Sequence, residues 1–297
     1  MKKKPVIYRI SQLTGFLLGA RFFMTILLAF ALYVSTFFLF NQEESLRAFV
    51  FDFRVHGIII CSLLSILAGG IINQFYDREK DRLVKPFRSR LQAFLKQKYF
   101  LYAYLILNTL SLGIALLISA RVVIFFLIYQ FLMWLYSHRL SRILVINNVT
   151  FVALTLYPFF GMLVYYRTFS LQIFMMALYL MLMLLLTDII KDTLTKTADR
   201  LFGYMTIPNH FTEKTSSAVI SVLLALTFGV SFLITDWLGL ERVMGWYFLL
   251  GLGVLTAVFF QMMVKRDRSR SYALNILRIW IFVGILAMLA DGIILKY

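Results

Sequence analysis

The sequence is organised around a polar stretch that follows directly on an apolar run, residues 73–90, which read NQFYDREKDRLVKPFRSR. Within it Asn73, Asp77 and Asp81 recur every four residues, so on a continuing helix their side chains lie on one face. Two carboxylates held that close repel each other, and a shared divalent cation, which prefers oxygen ligands, relieves the repulsion. The basic residues that end the stretch indicate that what such a metal holds is itself anionic.

A second acidic stretch lies in the other half of the chain, at the end of the apolar run 171–186. Asp188 and Asp192 are again four residues apart, and Asp199 follows seven residues later. The two stretches contain six of the 14 acidic residues, a concentration that scattered surface charge does not produce. Because ionisable groups near a membrane are costly, paired clusters predict a functional site for metal and diphosphate. For one stretch alone, a solvated helix end with internal ion pairs stays an alternative.

The composition is that of a membrane protein. Of 297 residues 61% are hydrophobic, and the mean hydropathy is +0.84, whereas roughly half the residues of a globular domain are apolar. The net charge of +16 sits in short loops, so we interpret it as topogenic and lipid-facing and expect no nucleic-acid partner. The single cysteine, Cys61, excludes an intrachain disulfide framework. No linker divides residues 1–297, which we expect to form a single domain.

Nine apolar runs are long enough to cross a bilayer, which takes roughly 17 to 25 residues as a helix. The N-terminus and the even-numbered loops between them hold 22 of the 30 Lys and Arg residues, against 6 in the odd-numbered loops and the C-terminus. By the positive-inside rule, the N-terminus and both acidic stretches are predicted to be cytoplasmic in a multi-pass cell-membrane protein. A weak internal repeat further predicts that the two stretches face each other across a central cavity. The predicted spans are approximately 14–40, 55–73, 99–119, 122–137, 143–166, 170–190, 216–238, 243–264 and 272–295.

A further polar cluster ends the fourth predicted span. If this cluster lies beside the acidic stretches, we expect Tyr136 to donate a hydrogen bond to a leaving phosphate oxygen, while Arg139 or Arg142 neutralises its charge. A tyrosine of the aromatic belt followed by two positive-inside arginines is the alternative interpretation, and the sequence leaves it open.

Taken together, these elements resemble the UbiA superfamily of intramembrane prenyltransferases over nearly the whole chain. The family stretch N-D-x-x-D-x-x-x-D is matched from Asn73 to Asp81, and its basic-Pro-x-Arg element by Lys85, Pro86 and Arg88. The remaining matches are the Tyr-Ser element and the second acidic motif, carried by Tyr136, Ser137, Leu140, Ser141, Arg142 and Asn148, and by Asp188, Ile189, Lys191, Asp192, Asp199, Gly203, Thr206 and Pro208.

The resemblance implies nine transmembrane helices around a central cavity and transfer of an isoprenyl chain from a prenyl diphosphate to a lipophilic acceptor, with Mg²⁺ assisting departure of the diphosphate. The second motif is most similar to the branch that prenylates glycerophosphate ethers and chlorophyll-type acceptors. By the same resemblance, one magnesium ion is held by Asn73, Asp77 and Asp81, and another by Asp188, Asp192 and Asp199. The implied diphosphate contacts are Lys85, Arg88, Lys191, Arg139 and Arg142, and the implied catalytic residues are Asp77, Asp81, Asp192 and Tyr136.

Three departures from the family pattern keep other functions open. Gln74 and Thr195 each replace an aspartate, and Ser141 replaces a lysine, so a weakened or silent relative that binds prenyl lipids is one alternative. A transporter is less favoured, because its site is expected near the membrane midplane on interrupted helices. A CDP-alcohol phosphotransferase would require a dense Asp-rich motif ending in Gly-Ala-Arg, which the sequence lacks.

Overall fold

The computed structural model describes residues 6–41, 45–264 and 266–296, with side chains from residue 10 onward. Regular secondary structure in these ranges is helical throughout, which confirms the all-α prediction. The chain divides into two compact units, one made of Met1–Tyr33 and Glu44–Ser141, the other of Val34–Glu43 and Arg142–Tyr297. That the chain forms one domain stays a prediction.

The first unit contains seven whole helices and most of an eighth, α2, whose last residues belong to the second unit. Two of the longer ones start at hydrogen-bonding caps: the Asp52 carboxylate accepts from the backbone N–H of Arg54 at 2.9 Å, and the Ser119 hydroxyl accepts from that of Val122 at 3.3 Å. The helices are α1 (Val6–Gly19), α2 (Phe22–Ser35), α3 (Leu46–Val50), α4 (Phe53–Tyr76), α5 (Arg78–Val84), α6 (Pro86–Gln92), α7 (Gln97–Ile118) and α8 (Ala120–His138).

Small residues on α4 let α7 and α8 approach it closely. A Cβ added at Gly57 would lie 2.7 Å from the Ile118 side chain, and one at Gly69 would lie 1.9 Å from Met133. The hydroxyl groups of Ser65 and Ser111 hydrogen-bond between α4 and α7 at 3.1 Å. Small residues and buried hydroxyl pairs are the usual means of joining helices in a membrane, where no hydrophobic force drives them together.

The second unit centres on the long helix α10. Its apolar face packs against α12 and α14, and the core of the unit is formed by buried side chains of these helices and of α13. The helices are α9 (Ile146–Tyr166), α10 (Leu171–Leu201), α11 (Ile207–His210), α12 (Glu213–Leu238), α13 (Val243–Met263) and α14 (Asp267–Lys296); a π-helix (Thr36–Phe40) continues α2, and a 3-10 turn (Leu140–Arg142) precedes α9.

The number of predicted spans is confirmed, since nine helices of the described chain are long and apolar enough to cross a membrane. The protein is therefore a multi-pass membrane protein, and the orientation of its termini stays a prediction. The spans are Phe22–Phe40, Phe53–Tyr76, Gln97–Ile118, Ala120–His138, Ile146–Tyr166, Leu171–Leu201, Glu213–Leu238, Val243–Met263 and Asp267–Lys296.

Two spans differ from their predicted bounds by eight residues or more. The first begins at Phe22 and not near residue 14, because the backbone breaks after α1 and Arg21 adopts a positive φ of 55°. The sixth continues to Leu201, eleven residues past its predicted end at 190, so the second acidic stretch lies on the helix and not in a polar loop. Hydropathy marks where a helix leaves the hydrocarbon, which is not where its backbone hydrogen bonds end.

Candidate functional site

The first acidic stretch forms a single stripe across the joint of α4 and α5. The backbone N–H of Asp77 donates to the Asn73 carbonyl at 2.9 Å, that of Asp81 to Asp77 at 2.8 Å, and that of Lys85 to Asp81 at 2.8 Å. These bonds keep the helical spacing through the joint. Asn73, Asp77 and Asp81 therefore share one face, as their spacing predicts.

Side-chain contacts hold the carboxylates of this stripe in place. The Asn73 amide donates from Nδ2 to Oδ2 of Asp77 at 2.8 Å, and the Lys85 ammonium group donates to Oδ1 of Asp81 at 3.0 Å. Asp81 is 8% exposed, whereas Asp77 is half-buried. Each of these bonds uses one oxygen of its carboxylate, and a carboxylate oxygen can accept more than one hydrogen bond or metal contact.

Three cations lie beside the stripe, one of which the sequence did not single out. Arg88 donates from Nη2 to the Leu18 carbonyl at 2.6 Å, which ties α6 to α1. Arg21, at the break between α1 and α2, lies close enough to Lys85 and Arg88 to interact with both electrostatically. Its position inside an apolar run was the available signal, because a charge there is costly unless it has a partner.

Burial and mutual repulsion perturb two of these cations. Burial lowers the pKa of the Lys85 ammonium group, the Asp81 carboxylate opposes that shift, and Arg21 and Arg88 lower it further. The pKa of Arg88 is likewise lowered by burial and then by Arg21, with Asp81 opposing. Like charges gathered at one place are favoured when an anion lies among them.

The second acidic stretch lies on α10, where two buried carboxylates share their partners. Asp188 and Asp192 are each 5% exposed. The Asn148 amide, on α9, donates from Nδ2 to Asp188 at 2.7 Å and to Asp192 at 3.0 Å. The Lys191 ammonium group pairs with Asp188 and lies 3.5 Å from Asp192. One amide and one ammonium group are thus divided between two buried negative charges.

Asp199 lies further along α10 and is fully buried. The Thr195 hydroxyl donates to its Oδ2 at 2.7 Å, so the residue that replaces the family's middle aspartate is turned toward the acidic cluster. Arg278, on α14, lies close enough to Asp188 to interact with it electrostatically, which the sequence analysis did not anticipate.

The residues after the fourth span have different surroundings. Tyr136 is half-buried on α8, and Arg139 is exposed where that helix ends. Arg142 lies in the second unit, where its guanidinium group is 5.3 Å from the centre of the Tyr204 ring and its carbonyl accepts from the N–H of Met205 at 3.2 Å. Arg142 thereby stabilises the segment that follows α10.

The oxygen atoms of the two acidic stretches are ligands of the kind that magnesium binds, although they do not surround a metal ion completely. Among the described residues, no group of three His, Cys, Asp or Glu side chains is arranged to hold a metal ion. Mg²⁺ is commonly bound by one or two carboxylates together with substrate phosphates and water, and seldom by an all-protein cage. The pairs Asn73–Asp77 and Asp188–Asp192 offer oxygen ligands of the kind that Mg²⁺ prefers.

Comparison with known proteins agrees with these features. The model of the UbiA prenyltransferase family matches residues 47–282. A digeranylgeranylglyceryl phosphate synthase of Thermococcus gammatolerans is 26% identical over 231 residues, which cover 76% of this chain and 81% of that protein.

Two solved structures share the fold. One, from work on a digeranylgeranylglyceryl phosphate synthase in membranes, has a TM-score of 0.69 at 19% identity. The alignment covers 95% of this chain and 99% of the chain in that structure. The other, a UbiA homolog from Archaeoglobus fulgidus bound to GPP and Mg²⁺, has a TM-score of 0.64 at 15% identity and covers 93% and 99%.

The chain is therefore a polytopic membrane enzyme of the prenyl-transferring class. It belongs to the UbiA prenyltransferase family.

Proposed function

We propose that this protein transfers an isoprenyl chain from a prenyl diphosphate to the hydroxyl group of a lipid acceptor, with the two acidic stretches acting on the diphosphate through Mg²⁺. The observation that carries this is the pair Asp188 and Asp192, two buried carboxylates that share one lysine and one amide. Two buried carboxylates one helical turn apart repel each other, and a divalent cation between them offsets that repulsion.

The contacts described above support two sets of metal ligands. Asn73, Asp77 and Asp81 would hold one magnesium ion, and Asp188, Asp192 and Asp199 would contribute to the other. Bound Mg²⁺ would draw electron density from the diphosphate and so weaken the allylic carbon–oxygen bond.

The remaining side chains would bind and position the donor. Lys85 and Arg88, with Arg21 beside them, would neutralise diphosphate oxygens, and Lys191 would do so near the second stretch. Tyr136 would donate a hydrogen bond to the departing diphosphate, and Arg139 would add positive charge. Arg142 has a different role in this proposal, because its ring and backbone contacts stabilise the segment after α10.

In the transfer, the bond between C1 of the prenyl chain and the diphosphate oxygen breaks, and its electron pair leaves with the diphosphate. The acceptor oxygen bonds to C1, and its proton passes to an oxygen of the departing diphosphate or to water. The apolar surroundings provided by the membrane spans would keep water from capturing C1 first. The names of the similar synthases make a prenylated glyceryl phosphate the first acceptor to test.

The test is turnover by the purified full-length protein with Mg²⁺ and a panel of prenyl diphosphates. A membrane-lipid extract and a prenylated glyceryl phosphate serve as acceptors, and diphosphate release and prenylated product are both followed. We expect both products, and their loss when the metal is chelated. Tight binding of prenyl diphosphates without release of diphosphate from any of them would instead identify a silent, lipid-binding relative.

A further inference from the structure

A small polar pocket, separate from the candidate functional site, lies beside the first acidic stretch and within the same unit of the chain. Its volume is ≈ 50 Å³, and since one water needs roughly 10–15 Å³, several waters or a group such as a phosphate can enter it. None of the residues assigned above to metal or diphosphate lines it. Its polar lining includes Gln74, Arg78, Arg82, Ser89 and Gln92.

Two arginines give this pocket its charge. Gln74, Arg78 and Arg82 follow Asn73, Asp77 and Asp81 by one residue each, so they form a neighbouring stripe, roughly 100° around the helix from the acidic one. Arg78 donates from Nη1 to Oε1 of Gln97 at 2.9 Å. Within the described ranges, no carboxylate lies within ion-pair distance of either guanidinium group. Like charges four residues apart on a helix repel each other, and an anion between them removes that repulsion.

Two buried, uncharged hydrogen-bonding groups lie in the same pocket as the two arginines. Gln92 is 7% exposed, and its Nε2 has no hydrogen-bond partner in the described part of the chain. The hydroxyl oxygen of Ser89 is buried and equally without a partner there. Because buried polar groups are almost always satisfied by protein, water or ligand, the donors of Ser89 and Gln92 are suited to an acceptor such as a phosphate oxygen once their side chains turn toward the pocket.

The apolar part of the lining lies near the ends of two predicted membrane spans. Ile71, Phe75 and Phe100 come from the ends of α4 and α7 where the polar connection begins, and Phe75 is 41% exposed. No carboxylate occurs among the described lining residues, so a free cation is repelled there while an anion is attracted. An apolar wall beside two cations fits an amphiphile with an anionic head group.

We propose that this pocket binds the phosphate group of an anionic membrane lipid, separately from the donor diphosphate. Arg78 and Arg82 neutralise the phosphate, Ser89 and Gln92 donate hydrogen bonds to it, and the apolar wall contacts the first part of the acyl chain. The proposal also gives Gln74 a place outside the metal stripe, since this side chain lines the lipid pocket and packs against Gly19.

The experiment measures Tm of the purified full-length protein in dodecyl maltoside micelles with three additions: dioleoyl phosphatidic acid, dioleoyl phosphatidylcholine and inorganic phosphate. We expect phosphatidic acid to raise Tm and the other two to leave it nearly unchanged. In a variant carrying Arg78→Gln and Arg82→Gln, at least a tenfold higher concentration of phosphatidic acid should be needed to raise Tm by the same amount. The matched control carries Lys96→Gln and Lys98→Gln, which removes two cations from the same connection outside the pocket and should keep the full shift.

Several outcomes would overturn the proposal. An equal shift with inorganic phosphate would mean that the site takes free phosphate and no lipid. An equally large loss of the Tm shift in the lysine control would mean that phosphatidic acid binding depends only on the net charge of the loop. If the arginine variant does not fold, Gln92→Leu provides the decision, because it removes a buried donor without changing charge and should also weaken binding. Diphosphate release in the same samples reports on prenyl transfer separately, so failure of one proposal leaves the other standing.

Discussion

At the scale of single residues, Asn148 determines how two buried carboxylates coexist. Its one NH₂ group donates to both Asp188 and Asp192, while its Oδ1 is buried without a hydrogen-bond partner in the described chain. An amide that serves two carboxylates lowers their repulsion when no metal is bound, and an amide oxygen is also an acceptable ligand for Mg²⁺. The residue thus suits both the metal-free and the metal-bound protein.

Thr195 offers a test of the second acidic stretch, because its hydroxyl already contacts Asp199 at 2.7 Å. The change Thr195→Asp places another carboxylate beside a buried one. We expect Tm to fall without metal, and the Mg²⁺ concentration needed for half-maximal prenyl transfer to decrease, since an anionic ligand replaces a neutral one. A titration of activity against Mg²⁺ measures this.

The control for that titration is Thr193→Asp, two residues earlier on α10. Two residues along a helix correspond to a rotation of roughly 200°, so this side chain lies on a different part of the helix surface from Thr195, and its hydroxyl donates to the Ile190 carbonyl at 2.6 Å. Its replacement should leave the Mg²⁺ requirement unchanged. A lower requirement in both variants would show a general effect of negative charge and none that is specific to position 195.

The sequence predicted the acidic residues better than their partners. Spacing alone placed Asn73, Asp77 and Asp81 on one face, because helical periodicity is a local property. The contacts of Asn148, 40 residues from Asp188, and of Arg21 with Lys85 and Arg88 depend on how distant segments pack, which no spacing rule contains. That Gln74 weakens the metal site stays a prediction, and in the structure Gln74 lines the neighbouring pocket.

At the scale of helices, the break between α1 and α2 fits closely against α4. A Cβ added at Gly70 would lie 2.9 Å from the Ala20 carbonyl oxygen and 3.1 Å from its carbon, both backbone atoms of the break. This close approach brings Arg21, with its positive φ, next to the helix that ends in the first acidic stretch. Hydropathy predicted one uninterrupted span from about residue 14 to 40 because residues on both sides of the break are apolar.

The change Gly70→Ala should therefore destabilise the protein by about 1–3 kcal/mol, because backbone atoms cannot move aside as the end of a side chain can. It should also weaken binding of prenyl diphosphate by displacing Arg21. The matched control is Gly113→Ala on α7, where an added Cβ meets nothing within 4 Å. Removing this helical glycine should be neutral or stabilise by up to about 1 kcal/mol. Thermal unfolding measures both changes, and equal losses would contradict the packing argument.

At the scale of the whole molecule, each compact unit carries one acidic stretch and its own cations. In the first unit Lys85 pairs with Asp81, and in the second Lys191 pairs with Asp188 and Asp192. Neither group of described residues forms a metal site of three acidic ligands, and in the proposed reaction the bound diphosphate would supply further ligands to Mg²⁺. The sequence predicted the nine spans and both stretches because apolar length and charge clustering are visible without packing information.

Whether the two stretches work as one catalytic unit is decided by the variants Asp77→Asn and Asp192→Asn and their combination. Each keeps the size of the side chain and removes one charge. If both stretches act on the same departing diphosphate, each single change should lower kcat for diphosphate release by at least roughly 10- to 100-fold. The double variant should then lose less than the product of the single effects, because residues that act as a unit are not additive.

The control for this cycle is Asp236→Asn, which removes an exposed carboxylate of α12 outside both stretches and should leave kcat unchanged. Losses that multiply in the double variant would mean that the stretches contribute independently. Full activity of Asp192→Asn would show that the buried pair on α10 serves the stability of that helix alone. In that case the prenyl-transfer chemistry would rest on the first stretch, where Asp77 and Asp81 would supply the carboxylate ligands to a single metal ion.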